Sequence, residues 1–155
     1  MAAIICAVID VEQVTVTDIN NYADVAWPPQ AVIRVIHWWG HSCDPALLAR
    51  SPYYQFLIWI DVFYFLPFYL AAIYAVWFAR PWLRDHLIIQ SASIITATST
   101  ILYVNLLGPN PSPDPAMMLS GYLSYVLVPL LLIGYCLTHR NIFEGRIAAE
   151  KPKRA

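Results

Sequence analysis

Three long apolar stretches dominate the chain. Residues 53–78, 86–107 and 116–138 contain almost no charged side chains. Each is close to or above the roughly 20 residues that an α-helix needs to cross a bilayer. Polar loops separate the stretches, and the single acid Asp61 interrupts the first. The pattern predicts an all-α membrane protein with three full transmembrane spans.

Composition supports a membrane protein and argues against several other classes. Hydrophobic residues make up 59% of the 155 residues and charged residues 12%, where a soluble domain carries about 25% charge. The net charge of −1 and the lack of a basic patch give no sign of a nucleic-acid partner. The three cysteines lack metal-site spacing. No cofactor is expected, because no phosphate loop or dinucleotide fingerprint is present.

An N-terminal segment, residues 1–43, precedes the spans. Its apolar start is too short to cross a bilayer, and the acidic stretch that begins at Asp10 and Glu12 is expected to be irregular. From Gln30 to His41 apolar residues recur at three- and four-residue spacing, which is typical of a short interfacial helix. The histidines lack ligand or triad spacing and are expected at interfaces; they are His37, His41, His86 and His139.

Asp61 and Pro67 indicate that the first span lines an internal site. A carboxylate in hydrocarbon costs at least ~2.5–3.5 kcal/mol, so it usually faces a bundle interior or a polar cavity. Pro67 has no backbone N–H and frees the carbonyl of Phe63 about one turn from the acid. Three roles stay open for Asp61: counter-ion for a cationic ligand, proton donor, or partner in a buried hydrogen-bond network. Its predicted neighbours are apolar and aromatic, which suits a sterol or a lipophilic amine; they are Leu57, Tyr64, Phe65 and Phe68.

Further polar positions fall on defined helix faces. In the second span Thr98 shares a face with Ser91 and Asn105, either as a helix–helix contact or as pocket lining. Asp44 precedes Pro45 as a predicted helix N-cap. In the third span one face carries Tyr122, Tyr125 and Pro129, and the proline frees a carbonyl at Tyr125.

Basic residues predict the orientation. Lys and Arg occur in the loop that carries Arg80 and Arg84 and in the tail, residues 139–155, whereas the proline-rich loop 108–115 has none. Basic flanks stay cytosolic. The tail and the arginine loop are therefore predicted on the cytosolic side, and the proline-rich loop on the other.

From Asp44 onward the order of features resembles the EXPERA domain family, which includes the sigma-2 receptor and emopamil-binding protein, a sterol Δ8–Δ7 isomerase. The order is closest to that of the sigma-2 receptor, and residues 44–138 form the EXPERA-like transmembrane domain. The matching residues are Asp44-Pro45-Ala46-Leu47-Leu48, Asp61-Val62-Phe63 with Leu66-Pro67-Phe68, Thr98-Ser99-Thr100, and Tyr122, Tyr125 and Pro129.

The resemblance implies a four-helix transmembrane bundle of the endoplasmic reticulum whose buried pocket binds a sterol or a lipophilic amine. Asp61 takes the place of the acid that contacts the ligand's cation, and Asp10 resembles a second acid of the pocket. Asp44 matches an acid that supports the structure, and Tyr125 an aromatic of the pocket. Together with the residue pattern, this gives a predicted ligand-binding set of Asp61, Asp10, Tyr125, Tyr122, Tyr64, Phe65 and Thr98, with Asp44, Pro67 and Pro129 as structural residues.

The chain departs from the family pattern in ways that affect function. Only nine residues precede Asp10, so the family's first span is shortened or missing; a truncated gene model, a partner helix and a three-span variant are the alternatives. Phe65 stands where the sigma-2 pattern has a polar amide. Leu57 stands where the isomerase pattern has a histidine, so catalysis is not expected.

Membrane lipid and a sterol or amine ligand are the expected partners, with a homodimer or a larger membrane-protein partner as a further possibility. A sterol-isomerase-like or carbocation-type lipid enzyme is one alternative function, and a structural subunit of a larger complex is another. Lys151 and Lys153 resemble a dilysine retrieval signal. Such a signal agrees with a multi-pass protein of the endoplasmic reticulum that has a cytosolic C-terminus.

Overall fold

A computed structural model describes residues 6–16, 23 and 25–143, and all of its regular secondary structure in these residues is helical. Lys151 and Lys153 lie outside the described residues. A π-helical turn, Cys6–Asp10, leads into α1, Val11–Thr15. Two further helices precede the spans: α2, Gln30–Ser42, and α3, Pro45–Ala49.

Three helices in the described residues are long and apolar enough to cross a membrane. The first span, Pro52–Trp77, consists of α4, Pro52–Ile60, a π-helical segment, Asp61–Phe65, and α5, Leu66–Trp77. The second span is α6, Leu83–Leu107. The third span, Pro115–Thr138, consists of α7, Pro115–Tyr122, and α8, Ser124–Thr138. The prediction of an all-α membrane protein is therefore confirmed.

The sequence pattern predicts that the acidic N-terminal stretch is irregular, but part of it is helical. It is helical to Thr15, and Glu12 on α1 is fully buried. The carboxylate of Glu12 lies 2.9 Å from Arg50 Nη2 and 3.1 Å from His37 Nε2. His37 is consequently buried rather than placed at an interface. The sequence expectation fails because a buried acid is tolerated once charged partners satisfy it.

The second and third spans form the most extensive helix pair of the described chain. Arg84, at the start of the second span, joins their ends: its Nε donates to the carbonyls of Cys136 at 2.9 Å and His139 at 3.1 Å. The first span packs instead against α1 and the preceding π-helical turn. The described chain therefore has two halves, the N-terminal helices with the first span and the pair formed by the second and third spans.

Asp44 joins the two halves at one end. As predicted, it caps α3, and its Oδ1 accepts from the backbone N–H of Leu47 at 3.2 Å. The same oxygen accepts from Asn105 Nδ2 of the second span at 2.7 Å, while Oδ2 accepts from the hydroxyl of Tyr122 on the third span. One fully buried carboxylate therefore contacts both spans of the second half.

A small apolar cluster joins the halves at the other end. Phe68 and Ala75 of α5 pack with Leu83, the first residue of the second span, and all three side chains are buried. The halves meet at both ends, and the space between these junctions is available for a cavity.

Candidate functional site

A cavity of about 370 Å³ lies between the two halves. Most of its lining is aliphatic or aromatic, and the carboxylates of Asp10 and Asp61 provide its acidic groups. Among the residues that the structure describes, no Lys, Arg or His lines it. The volume falls within the range of small-molecule sites, about 300–1,000 Å³. The cavity can thus hold one compact apolar ligand with a group that complements an acid.

Asp61 opens the π-helical segment of the first span and is half-buried. Its backbone carbonyl accepts from the N–H of Leu66, five residues on, which is the bond that defines a π-helix. No donor within the described ranges bonds its side-chain carboxylate. The acid is therefore available to a ligand that enters the cavity.

The π-helical segment determines which side chains share the face of Asp61. A π-turn holds more than four residues, so the position four residues on lies on the same face and the position three residues on turns away. Phe65 accordingly lines the cavity, as does Tyr69 one turn further. Tyr64 does not line it; its side chain is 41% exposed on the outside of the bundle.

The segment ends at Phe65, two residues before Pro67, which is the second residue of α5. Pro67 has no N–H to donate, so the regular α-helical ladder cannot continue through it. The sequence predicts the loss of one hydrogen bond at this proline. It does not predict the wider turn in front of it, since prolines in helices also occur without π-turns.

Asp10 approaches Asp61 from the other side of the first half. It is the last residue of the π-helical turn Cys6–Asp10, which packs against the π-helical segment Asp61–Phe65. Asp10 is only 7% exposed, and its carboxylate lies close enough to Asp61 for the two charges to repel. A cation between the two acids would relieve that repulsion.

The other predicted site residues separate into two groups. Thr98 of the second span and Tyr122 and Tyr125 of the third line the cavity together with Asp10, Asp61 and Phe65. Leu57, Pro67 and Pro129 do not line it. Asp44 lies behind the wall, where it holds the hydroxyl of Tyr122. The polar face of the second span also divides, because Asn105 bonds Asp44 while Thr98 reaches the cavity.

The sequence pattern does not predict several of the residues that line the cavity. Tyr54 and Tyr69 line the cavity from the first span, and the N-terminal helix α2 contributes Trp38 and Trp39. The apolar periodicity of α2 predicts a helix, but it does not show that the helix covers a cavity rather than a membrane surface. That placement depends on contacts with distant parts of the chain.

Cys43 lies beside this site without taking part in it. Its thiol is buried and donates to the carbonyl of Trp39 at 3.4 Å. Burial, helped by the charges of Asp44 and Asp114, raises the pKa of the Cys43 thiol to about 11. The thiol is therefore protonated at neutral pH and a poor nucleophile.

The model of the EXPERA family (EXPanded EBP superfamily) matches residues 31–136. The chain belongs to the EXPERA family. The match begins within α2 and ends near the end of the third span, and the resemblance seen in the sequence from Asp44 onward is thereby confirmed. It leaves Asp10 outside, although the structure places this acid in the same cavity as Asp61. No curated protein matches the chain.

Membership of the EXPERA family and the three candidate spans agree on a multi-pass membrane protein. In such a protein most side chains of the spans face lipid, and many of them are exposed in the structure. Buried polar side chains lie at the Asp44 junction, in the Glu12 cluster and in the cavity, and Gln90 and Ser91 are buried elsewhere on the second span. Those that line the cavity, Asp10 and Thr98, face open space.

Proposed function

We propose that this EXPERA-family chain binds a sterol or a lipophilic amine in the cavity between its two halves, in the manner of the sigma-2 receptor. It acts in sterol or lipid handling in the membrane of the endoplasmic reticulum, with its C-terminus in the cytosol. The observation that carries the proposal is the half-buried Asp61 on a mostly apolar cavity that also contains Asp10.

The chemistry of the cavity favours a cationic ligand with an apolar body. Two acidic side chains and no basic side chain among the described lining residues suit a ligand with a positively charged group. Aromatic faces add cation–π attraction, worth about 0.5–2 kcal/mol when the cation is desolvated. Phe65, Tyr69 and Tyr125 supply such faces. A sterol would use the same apolar walls and direct its hydroxyl to one of the acids.

Binding of a tritiated lipophilic tertiary amine to the detergent-purified protein tests the proposal. We expect saturable binding to the wild type and a loss of affinity of at least tenfold in Asp61→Asn, because the substitution removes the charge and preserves the shape. Asp85→Asn is the matched control. It removes an equal charge from an acid whose side chain is 74% exposed and paired with Arg84 outside the cavity, and its affinity should stay within about twofold.

Two results would contradict the proposal. One is the absence of saturable binding to a wild-type protein that is folded and monodisperse. The other is an equal loss of affinity in Asp61→Asn and Asp85→Asn, which would show that net charge, rather than the cavity, attracts the amine.

The pair of acids also favours a second candidate function, a sterol-isomerase-like or carbocation-type reaction. Moving a double bond requires a proton to be delivered at one carbon and removed at another, and Asp10 and Asp61 could take these two roles. Leu57, where the isomerase pattern has a histidine, does not line the cavity. Turnover of a Δ8-sterol that is lost in both Asp10→Asn and Asp61→Asn would establish this function in place of simple binding.

A further inference from the structure

Trp39 of α2 and Gly121 of α7 meet in the wall of the cavity. A β-carbon on residue 121 would lie 2.7 Å from Cη2 and 2.8 Å from Cζ2 of the indole. Carbon atoms in favourable contact stay about 3.5–4.0 Å apart. The indole therefore packs directly on the backbone of the third span, and this contact requires glycine.

The backbone on both sides of the contact is held in place. Next to Trp39, a β-carbon on Gly40 would lie 2.5 Å from Cγ of Leu48. Because Leu48 belongs to α3, helix α2 packs closely against α3 at this point. Next to Gly121, Tyr122 is hydrogen-bonded to the buried Asp44. No hydrogen bond to the described part of the chain holds the indole N–H of Trp39. Packing, including that against the buried cluster around Ile36 and Leu47, therefore holds the ring in place.

The open side of the cavity lies along α2. Val35 and Trp38 both line the cavity, yet their side chains are 62% and 56% exposed. Both residues belong to the same helix as Trp39, whose ring is only partly exposed. Trp39 is thus less exposed than these two residues and contacts the third span at Gly121.

We propose that the Trp39–Gly121 contact sets the size of the ligand that the cavity accepts. This inference rests on the proposed function and adds a specificity-determining pair to it. The indole, seated on the glycine, leaves room for a broad polycyclic body beside the acids. A side chain at position 121 displaces the ring into that room. The cavity is then too narrow for a rigid ring system, whereas a single flexible chain still fits.

The test compares two tertiary amines that share a dimethylamino head. One carries a linear dodecyl chain and the other a rigid steroid ring system; both are titrated against the purified wild type and its variants. In Gly121→Ala we expect affinity for the steroid amine to fall at least tenfold and affinity for the dodecyl amine to change less than threefold. In Gly121→Ala/Trp39→Phe, the shorter ring of phenylalanine should restore steroid-amine binding to within about threefold of the wild type.

Gly134→Ala is the matched control, because it adds the same methyl group to the same span at a position with nothing within 4 Å. Both affinities should stay at wild-type values in this variant. If Gly121→Ala does not fold, Trp39→Ala alone tests whether the indole limits ligand size. This variant should bind the steroid amine better relative to the dodecyl amine.

Different results overturn different claims. Equal loss of both amines in Gly121→Ala, or no recovery in the double variant, would overturn the role of the pair while the proposed function stands. Trp39→Ala that leaves the ratio of the two affinities unchanged would do the same. Binding of neither amine to the folded wild type would overturn the proposed function and this inference with it.

Discussion

At the scale of single residues, burial separates side chains that the sequence presents as equivalent. Asp44 and Asp114 each precede a proline and accept from the backbone N–H three residues on. Asp114 is exposed and has no further described task, whereas Asp44 is fully buried and also holds Asn105 and Tyr122. Local spacing predicts the cap at Asp44. It cannot show that this residue joins three parts of the fold.

Asp44→Ala and Asp114→Ala should therefore differ in cost. Asp114→Ala loses one exposed cap, typically about 1 kcal/mol. Asp44→Ala also leaves Asn105 and Tyr122 without their acceptor, and each orphaned buried group costs about 1–3 kcal/mol. We expect a total loss of about 3–7 kcal/mol in the free energy of unfolding, measured by denaturant titration in mixed micelles. Equal losses in the two variants would contradict the role given to Asp44.

Glu12 provides a second residue-scale prediction. Glu12→Gln keeps the shape but removes the charge that Arg50 and His37 face, so the Arg50 guanidinium is left in a buried site without its counter-ion. We expect a loss of about 3–5 kcal/mol in the free energy of unfolding. The exposed pair between Arg84 and Asp85 is the comparison, since Asp85→Asn should cost about 0–1 kcal/mol. A Glu12→Gln variant as stable as Asp85→Asn would show that the cluster does not contribute to stability.

At the scale of elements, the sequence predicts what depends on local pattern and misses what depends on distant contacts. The spans follow from the length of the apolar runs, and the start of α3 follows from the pair Asp44-Pro45. Helix α1 does not, because its buried Glu12 is satisfied by Arg50, 38 residues later in the chain. The π-helical segment is missed for a related reason. Apart from Asp61, its sequence has the same apolar character as the regular helix on either side.

Pro67→Ala tests whether the π-helical segment positions the ligand-binding face. Alanine restores a backbone N–H and favours a regular α-helix. The turn after Asp61 would then tighten and rotate the residues beyond it, so that Tyr69 moves away from the acid's face while Phe65, four residues on, stays near it. We expect a more stable protein whose affinity for the tertiary amine is at least fivefold lower, measured by thermal unfolding and by ligand titration.

Pro52→Ala is the control for this prediction. Pro52 is the first residue of the same span, where a helix has no N–H bond to lose. Its substitution should leave affinity within about twofold. Unchanged affinity in Pro67→Ala would show that the segment does not position the site.

At the scale of the whole molecule, contacts place the proline-rich loop and the arginine loop at opposite ends of the spans. Ser112 of the proline-rich loop donates to the carbonyl of Cys43 at 2.5 Å, so this loop and the start of the transmembrane region lie at one end. Arg84 and the end of the third span lie together at the other. The sequence predicts this alternation from the distribution of Lys and Arg. It does not predict the side-chain contacts that join each end.

Cysteine labelling tests the proposed orientation. In sealed microsomes with the cytosolic face outward, Arg80→Cys should react with a membrane-impermeant maleimide, and Asn110→Cys should react only after the membrane is opened. Both positions are exposed, while the native Cys43 and Cys136 are buried. Cys6→Ser in each variant removes the remaining thiol. Labelling of Asn110→Cys in sealed vesicles would reverse the orientation.

The lengths of the spans have a consequence for the bilayer itself. Spans of 24–26 residues are about 36–39 Å long at 1.5 Å per residue, whereas the hydrocarbon core of a typical bilayer is about 30 Å thick. The helices must tilt, extend beyond the hydrocarbon or thicken the lipid around them. The cavity lies between two halves, so a ligand that changes their relative tilt changes the local mismatch as well. By thermodynamic linkage, a bilayer thickness that favours one tilt then also changes the ligand's affinity, through the same coupling free energy.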